Sequence, residues 1–272
     1  MIDTLVLTHE QTFNLNRFRS SLSGLIANEA TLSHRSQYRS GIAFFRERPS
    51  DGKHVPFVIV RLEPEHPKAA PTRIEVNPPR FGSASEMMHV LSCIDSPATL
   101  FVNRIDHAVD VSLPVERVLQ EIWFSRKTAR EQYKRGKPTG CYLGKRPEQL
   151  CVYDRAKRAR QLGPITRIEM RQWRERAAIR RLSELPSLID APVFERVLFF
   201  EINSSVDAEA QASPKFLRLK SHIDAGGFTH AYQSLNQQKN FWRDHKELIR
   251  PSTLIPDLNN MYRDELLLFL NS

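Results

Sequence analysis

Apolar and polar residues alternate along the first two-thirds of the chain, the period-2 signature of half-buried strands. The alternation predicts strands over Ile2–Thr8, Gly41–Arg46, Val55–Leu62, Arg73–Val76, Thr99–Ser112, Gly140–Gly144, Gln149–Tyr153 and Ile165–Met170. Pro49-Ser50-Asp51-Gly52 supplies turn chemistry, Glu63–Pro71 reads as a proline-rich loop, and Asn77-Pro78-Pro79 stops a strand. Helical spacing interrupts twice more clearly than the weak pattern at Thr12–Ala27. Ser83–Ile94 aligns Met87, Val90 and Leu91 behind a Ser83 cap, and Pro114 opens a helix with Val115, Val118, Leu119 and Ile122 on one stripe. The basic continuation of that helix to Lys137 reads as a loop. After Trp173 the pattern turns helical. Helices are predicted from Asp190-Ala191-Pro192 through Phe200, over Pro214–Ala225 with a stop at Gly226-Gly227, over Phe228–Ile249, and over Pro256–Leu270. The expectation is an α+β fold, an antiparallel-rich sheet domain over residues 1–172 followed by a smaller helical region over 173–272.

Three strands carry nearly the same tetrapeptide: Thr72-Arg73-Ile74-Glu75, Asn103-Arg104-Ile105-Asp106 and Thr166-Arg167-Ile168-Glu169. In each, the isoleucine points one way and the acid the other, with an arginine two places back on the acid's face. Singly, each acid fits an exposed strand carboxylate paired with its arginine. Together, Glu75, Asp106 and Glu169 are an all-oxygen set that suits a hard divalent cation, Mg²⁺ or Mn²⁺, with Asp110 in reserve.

Charge sharpens the picture. The 272 residues contain 40 Lys and Arg against 31 Asp and Glu, a net +9. Between Arg126 and Arg181 stand 18 basic residues and 5 acids. That local +13 exceeds the whole chain's charge, so the remainder is net acidic, and a polyanion is the partner such a segment fits. No long basic amphipathic helix with an aromatic face points to a membrane surface, and no apolar run approaches the roughly 18 residues of a span. Three cysteines without a CxxC pair, and an opening without signal-peptide features, lead to the expectation of a reducing cytoplasmic setting.

Nine histidines form no HxH, HxxxH or HExxH pattern, and His107 points away from Asp106. Walker A, GxGxxG and GxSxG sequences are absent. The nucleophile candidate is Tyr153, at the end of a strand and just before Arg155, Lys157, Arg158 and Arg160. A phenol with pKa about 10 is a weak nucleophile at neutral pH, and neighbouring cations favour its phenolate. A half-buried strand tyrosine fits the same residues, and Tyr142 and Tyr133 compete for the role.

The chain resembles the replication initiators of filamentous bacteriophages and, more distantly, rolling-circle plasmid initiation factors. Met1–Leu7 is similar to the phage opening, Tyr38–Phe44 resembles a Tyr-Ser-Gly-Ile-Ala-Phe segment, and Arg73–Pro78 resembles a Val-Glu-Ile-x-x-x-Pro strand. Arg104-Ile105-Asp106 matches Arg-Ile-Asp, Gly144–Arg158 resembles the plasmid Tyr-Leu-Gly-Ser-Arg…Tyr-Asp-Lys block, and Arg167–Met170 an Arg-x-Glu strand. Lys145 stands where the plasmid block has serine. The order of motifs is kept over residues 1–172. The resemblance implies a nicking-joining endonuclease in which Tyr153 forms a 5′-phosphotyrosyl link, with Arg155 and Lys157 at the phosphate and a carboxylate-bound cation. Arg126, Lys127, Arg130, Lys134, Arg135, Lys137, Arg158 and Arg160 are the expected DNA-contacting residues, and a host helicase and polymerase the expected partners. A non-catalytic DNA-binding control protein and a conjugative relaxase are the alternatives.

Overall fold

In the computed structural model, residues 1–11, 14–32, 37–47, 52–124, 129–134, 137–159, 162–235, 240–255 and 257–272 are described, with backbone alone at 129–134, 137–139 and 158–159. The architecture is α+β: antiparallel strand pairs with helices beside them and a helical stretch towards the C-terminus. Two compact units interleave along the chain. One comprises residues 1–108, 171–191 and 262–272, the other 109–170 and 192–261.

In the first unit the strand order is β2 (Asn28–Thr31), β3 (Tyr38–Glu47), β4 (His54–Pro64), β5 (Thr72–Val76), β1 (Ile2–His9) and the first part of β6 (Phe101–Val111). Registers fix the faces. Leu7 opposes Ile74, and Leu5 opposes Ile105; all four are fully buried. Glu75 opposes Val6, Val6 opposes Arg104, and Asp106 opposes Thr4, so the two acids share the other face. The alternation read from the tetrapeptides therefore holds for both strands. Helix α1 (Leu15–Ser21) starts at Asn14, whose side chain accepts from the Arg17 N–H, and buries Phe18 edge-on against Phe44. It is much shorter than the stretch predicted there. Helix α2 (Ala84–Ser92) has the expected cap, with Ser83 accepting from the Glu86 N–H and Met87, Val90 and Leu91 buried.

The second unit runs β11 (Thr166–Trp173, up to Met170), β10 (Glu148–Asp154), β9 (Lys137–Lys145) and β8 (Ala129–Lys134). The basic stretch expected as loop thus contains strand β8, paired with β9. A second sheet orders β13 (Ile249–Pro251), β12 (Val197–Ile202) and β7 (Ile122–Phe124). Here the predicted helix from Asp190 to Phe200 is corrected: Val197, Leu198 and Phe199 pair with Phe124, Trp123 and Ile122. A short unbroken apolar run carries no periodicity to separate the two states, and its β-branched and aromatic content suits a strand.

Helix α3 (Val115–Glu121) packs on α6 (Pro214–Leu235). The latter breaks at Gly226-Gly227, as the sequence predicts; Gly227 has φ +77, and a Cβ there would collide with the Leu119 carbonyl. Phe216, Leu219, Ile223, Phe228 and Phe241 form the core beneath. Helices α4 (Arg155–Ala159), α5 (Ala208–Ala212), α7 (Phe241–His245) and α8 (Leu258–Leu270) complete the fold. Among the described residues no helix is long and apolar enough to cross a membrane.

Candidate active site

Tyr153 is the penultimate residue of β10, half-buried, and donates its hydroxyl proton to Glu169 Oε2 at 2.9 Å. Glu169 lies on β11 and is 2% exposed. A buried carboxylate needs a partner of this kind, because its desolvation is offset only by hydrogen bonds or opposite charge. The phenol is therefore held by an acceptor able to take its proton.

Local packing sets the tyrosine's position. Tyr153 opposes Gly140 of β9, and a Cβ at Gly140 would come 2.5 Å from the Val152 carbonyl and 3.0 Å from Tyr153 Cβ. Only glycine fits that approach. Sequence reasoning read Gly140 merely as the start of a strand; the signal was a glycine facing the nucleophile candidate across a hairpin. Cys151 opposes Tyr142, so Tyr142 shares the Tyr153 face, whereas Cys141 opposes Val152 and points to the other. All three cysteines are free. The side chain of Tyr133 lies outside the described residues.

Beyond the tyrosine the chain turns into α4. Asp154 caps it, its Oδ1 accepting from the Lys157 N–H at 2.8 Å, while the Arg155 N–H donates to the Ile165 carbonyl at 2.8 Å. Arg155 forms an ion pair with Asp110. The same carboxylate accepts Arg167 Nε at 2.8 Å and Nη2 at 3.0 Å. Asp110 thus bridges two guanidiniums, an arrangement that occupies the reserve ligand and fixes Arg155. Lys157 is exposed.

The chain is similar to a solved rolling circle replication initiator protein from Geobacillus stearothermophilus. The identity is 14% and the TM-score 0.46, over 85% of this chain and 98% of that one. No family model matches the sequence, and no curated protein does.

The remaining acids belong to the first unit. Asp106 is 2% exposed; its Oδ2 accepts a hydrogen bond from Arg104 Nη2 at 2.9 Å, Arg104 Nε lies 2.9 Å from Oδ1 as an ion pair, and Arg171 Nε is 3.8 Å away. Glu75 is half-exposed and 3.8 Å from Arg73. The two acids flank β1, opposite Val6 and Thr4, so two strand spacings and a two-residue offset put their backbones about 12 Å apart. Among the described residues no group of three or more His, Cys, Asp or Glu side chains stands ready around a metal position. Arg126, Lys127, Arg135 and Arg160 lie outside the described residues, as do the side chains of Arg130, Lys134, Lys137 and Arg158.

Proposed function

We propose that the protein initiates rolling-circle replication by nicking one DNA strand and holding it covalently, and that Tyr153 is the nucleophile. The observation that carries this reading is the Tyr153–Glu169 hydrogen bond beside a fixed arginine pair. The order of motifs along residues 1–172 supports the same chemistry.

In the reaction the Tyr153 oxygen attacks phosphorus in line with the 3′ oxygen of the leaving nucleotide. Glu169 accepts the phenol proton as the O–P bond forms. The P–O3′ bond breaks, and the departing oxygen takes a proton to become a 3′-OH. The DNA keeps its 5′ phosphate on Tyr153, so the bond energy is retained and a later 3′-OH can reverse the exchange. Arg155, oriented by Asp110, and Lys157 at the head of α4 stabilise the phosphate charge. The free 3′-OH is the primer that a polymerase extends, on a template that a host helicase opens.

Mg²⁺ or Mn²⁺ is the cation this reading calls for, and Glu75 and Asp106 of the first unit and Glu169 of the second are the carboxylates named for it, oxygen donors of the kind a hard ion takes. When bound it supplies Lewis-acid polarisation of the phosphate. The oxygens are of the right chemical type, but among the described residues they form no group of three around one position, and Arg104 neutralises Asp106.

Incubation with supercoiled origin DNA and Mg²⁺, followed by a denaturing gel, tests the reading. Wild type yields a nick and a protein–DNA adduct, and Tyr153→Phe yields neither while binding the DNA as before. A normal nick by Tyr153→Phe removes Tyr153 from the role. Tight origin binding without any nick by wild type replaces the enzyme with a DNA-binding control protein.

A further inference from the structure

The acid-bearing face of the first unit is crowded with arginine. Arg61 of β4 directly opposes Arg73 of β5. Since Glu75 opposes Val6, and Val6 opposes Arg104, the Arg104 side chain leaves the same face two strands away. Arg171 reaches Asp106 from β11, and the Trp173 ring, two residues on, lies 6.0 Å from the Arg104 guanidinium. Four guanidiniums thus stand against two carboxylates, Glu75 and Asp106. Arg61 has no ion-pair partner among the described residues.

Like charges set directly opposite each other destabilise a sheet. A fold gains nothing from opposing Arg61 and Arg73; an anionic ligand across both would relieve the repulsion. Gly41 opposes Arg61 on β3, and a Cβ there would come 3.0 Å from the Val60 carbonyl and 3.5 Å from the Arg61 side chain. A row of guanidiniums running across strands matches a row of phosphates, and an adjacent half-buried indole offers a face on which a base can stack.

We propose that Arg61, Arg73, Arg104 and Trp173 form a track for single-stranded DNA, gripping successive phosphates of the strand whose cleavage is proposed above. The choice of DNA rests on that reading; the anion-binding geometry does not. Arg61 and Arg73 are binding residues here, and they touch no reacting atom.

The test is fluorescence anisotropy with a labelled single-stranded oligonucleotide across a salt series, without Mg²⁺ so that no cleavage intervenes. Arg61→Gln/Arg73→Gln should bind about tenfold more weakly at low salt. Its log–log salt slope should shrink by about 1.4, which is two single-strand phosphates at about 0.7 each. Arg61→Lys/Arg73→Lys keeps the charge and should keep the slope. Arg61→Gln alone should melt no lower than wild type, because it removes a repulsion. Unchanged affinity and slope in the double glutamine variant overturn the track. So does equal loss in the lysine variant, which would mark the effect as structural, and so does weakening confined to duplex DNA. Failure of the nicking reading shows itself separately, as a missing Tyr153-dependent adduct, and leaves this binding comparison intact.

Discussion

Gly140 is the residue on which the position of Tyr153 turns. Its α-carbon faces the tyrosine across the β9–β10 hairpin, with the Val152 carbonyl 2.5 Å from where a methyl would stand. In Gly140→Ala either the strand pair spreads or the phenol tilts. Overpacking of this kind costs about 1–3 kcal/mol, and a displacement of about 1 Å at a reacting group lowers the rate by up to about 100-fold. Single-turnover adduct formation should therefore fall well beyond tenfold at a temperature where the variant is folded. Equilibrium binding to the same DNA should hold. An unchanged turnover would mean that the hydroxyl is not the attacking group or that its place is set elsewhere. Glu169 carries the complementary lesson. Its spacing after Arg167 and Ile168 identified it as an acid pointing away from its isoleucine, and that much can be read from alternation. That it would receive the Tyr153 hydroxyl depends on two strands meeting, the partners standing 16 positions apart in the chain.

At the level of elements, β6 is where local pattern and tertiary packing meet. Its residues alternate as predicted, yet on the acid's own strand His107 is fully buried, its Nδ1 bonded to the Tyr262 hydroxyl of α8 at 2.7 Å. The sequence placed His107 opposite Asp106 in direction; nothing in it hinted that a tyrosine 155 residues later would close over the imidazole. The same contrast runs through the other elements. Strands with strict alternation and helices with caps, such as α2, were legible. β12 and β8 were not, because an unbroken apolar run and a basic polar run carry no period, and only pairing partners decide them. His107 also sets a pH dependence. Burial, and then the N-terminal ammonium, hold its pKa down at about 3, against a hydrogen bond from Gln172 that raises it. The unfolded chain therefore binds a proton there below about pH 6.5 that the folded chain refuses. The stability associated with neutral His107 is fully present above about pH 6.5 and is lost as pH falls towards about 3, by up to about 1.4 kcal/mol per pH unit. Urea titrations at pH 7, 6 and 5 should show this slope, and His107→Gln should flatten it at the cost of lower stability at pH 7. A slope identical in both proteins would assign the acid sensitivity to other groups.

Over the whole molecule, the basic charge falls into two groups. The sheet face of the first unit sets guanidiniums on rigid strands, whereas Arg126, Lys127, Arg130, Lys134, Arg135 and Lys137 crowd six positive charges into 12 residues with one acid, Glu131. A segment that dense has little capacity to discriminate bases, since phosphate contacts fix register and orientation without reading sequence. On the reading proposed above its contribution is affinity, and the mark of that contribution is salt dependence. Replacing the six by glutamine should weaken binding to cognate and unrelated DNA by similar factors. For every phosphate no longer neutralised, the log–log salt slope should shrink by about 0.9 if the segment grips duplex and by about 0.7 if it grips a single strand. Measuring the variant on both substrates separates the two: a deficit larger on duplex assigns the segment to the intact origin, one larger on the single strand assigns it to the displaced product. A loss restricted to one DNA sequence would contradict the electrostatic argument, because counterion release is the same at every phosphate and cannot favour one base order over another.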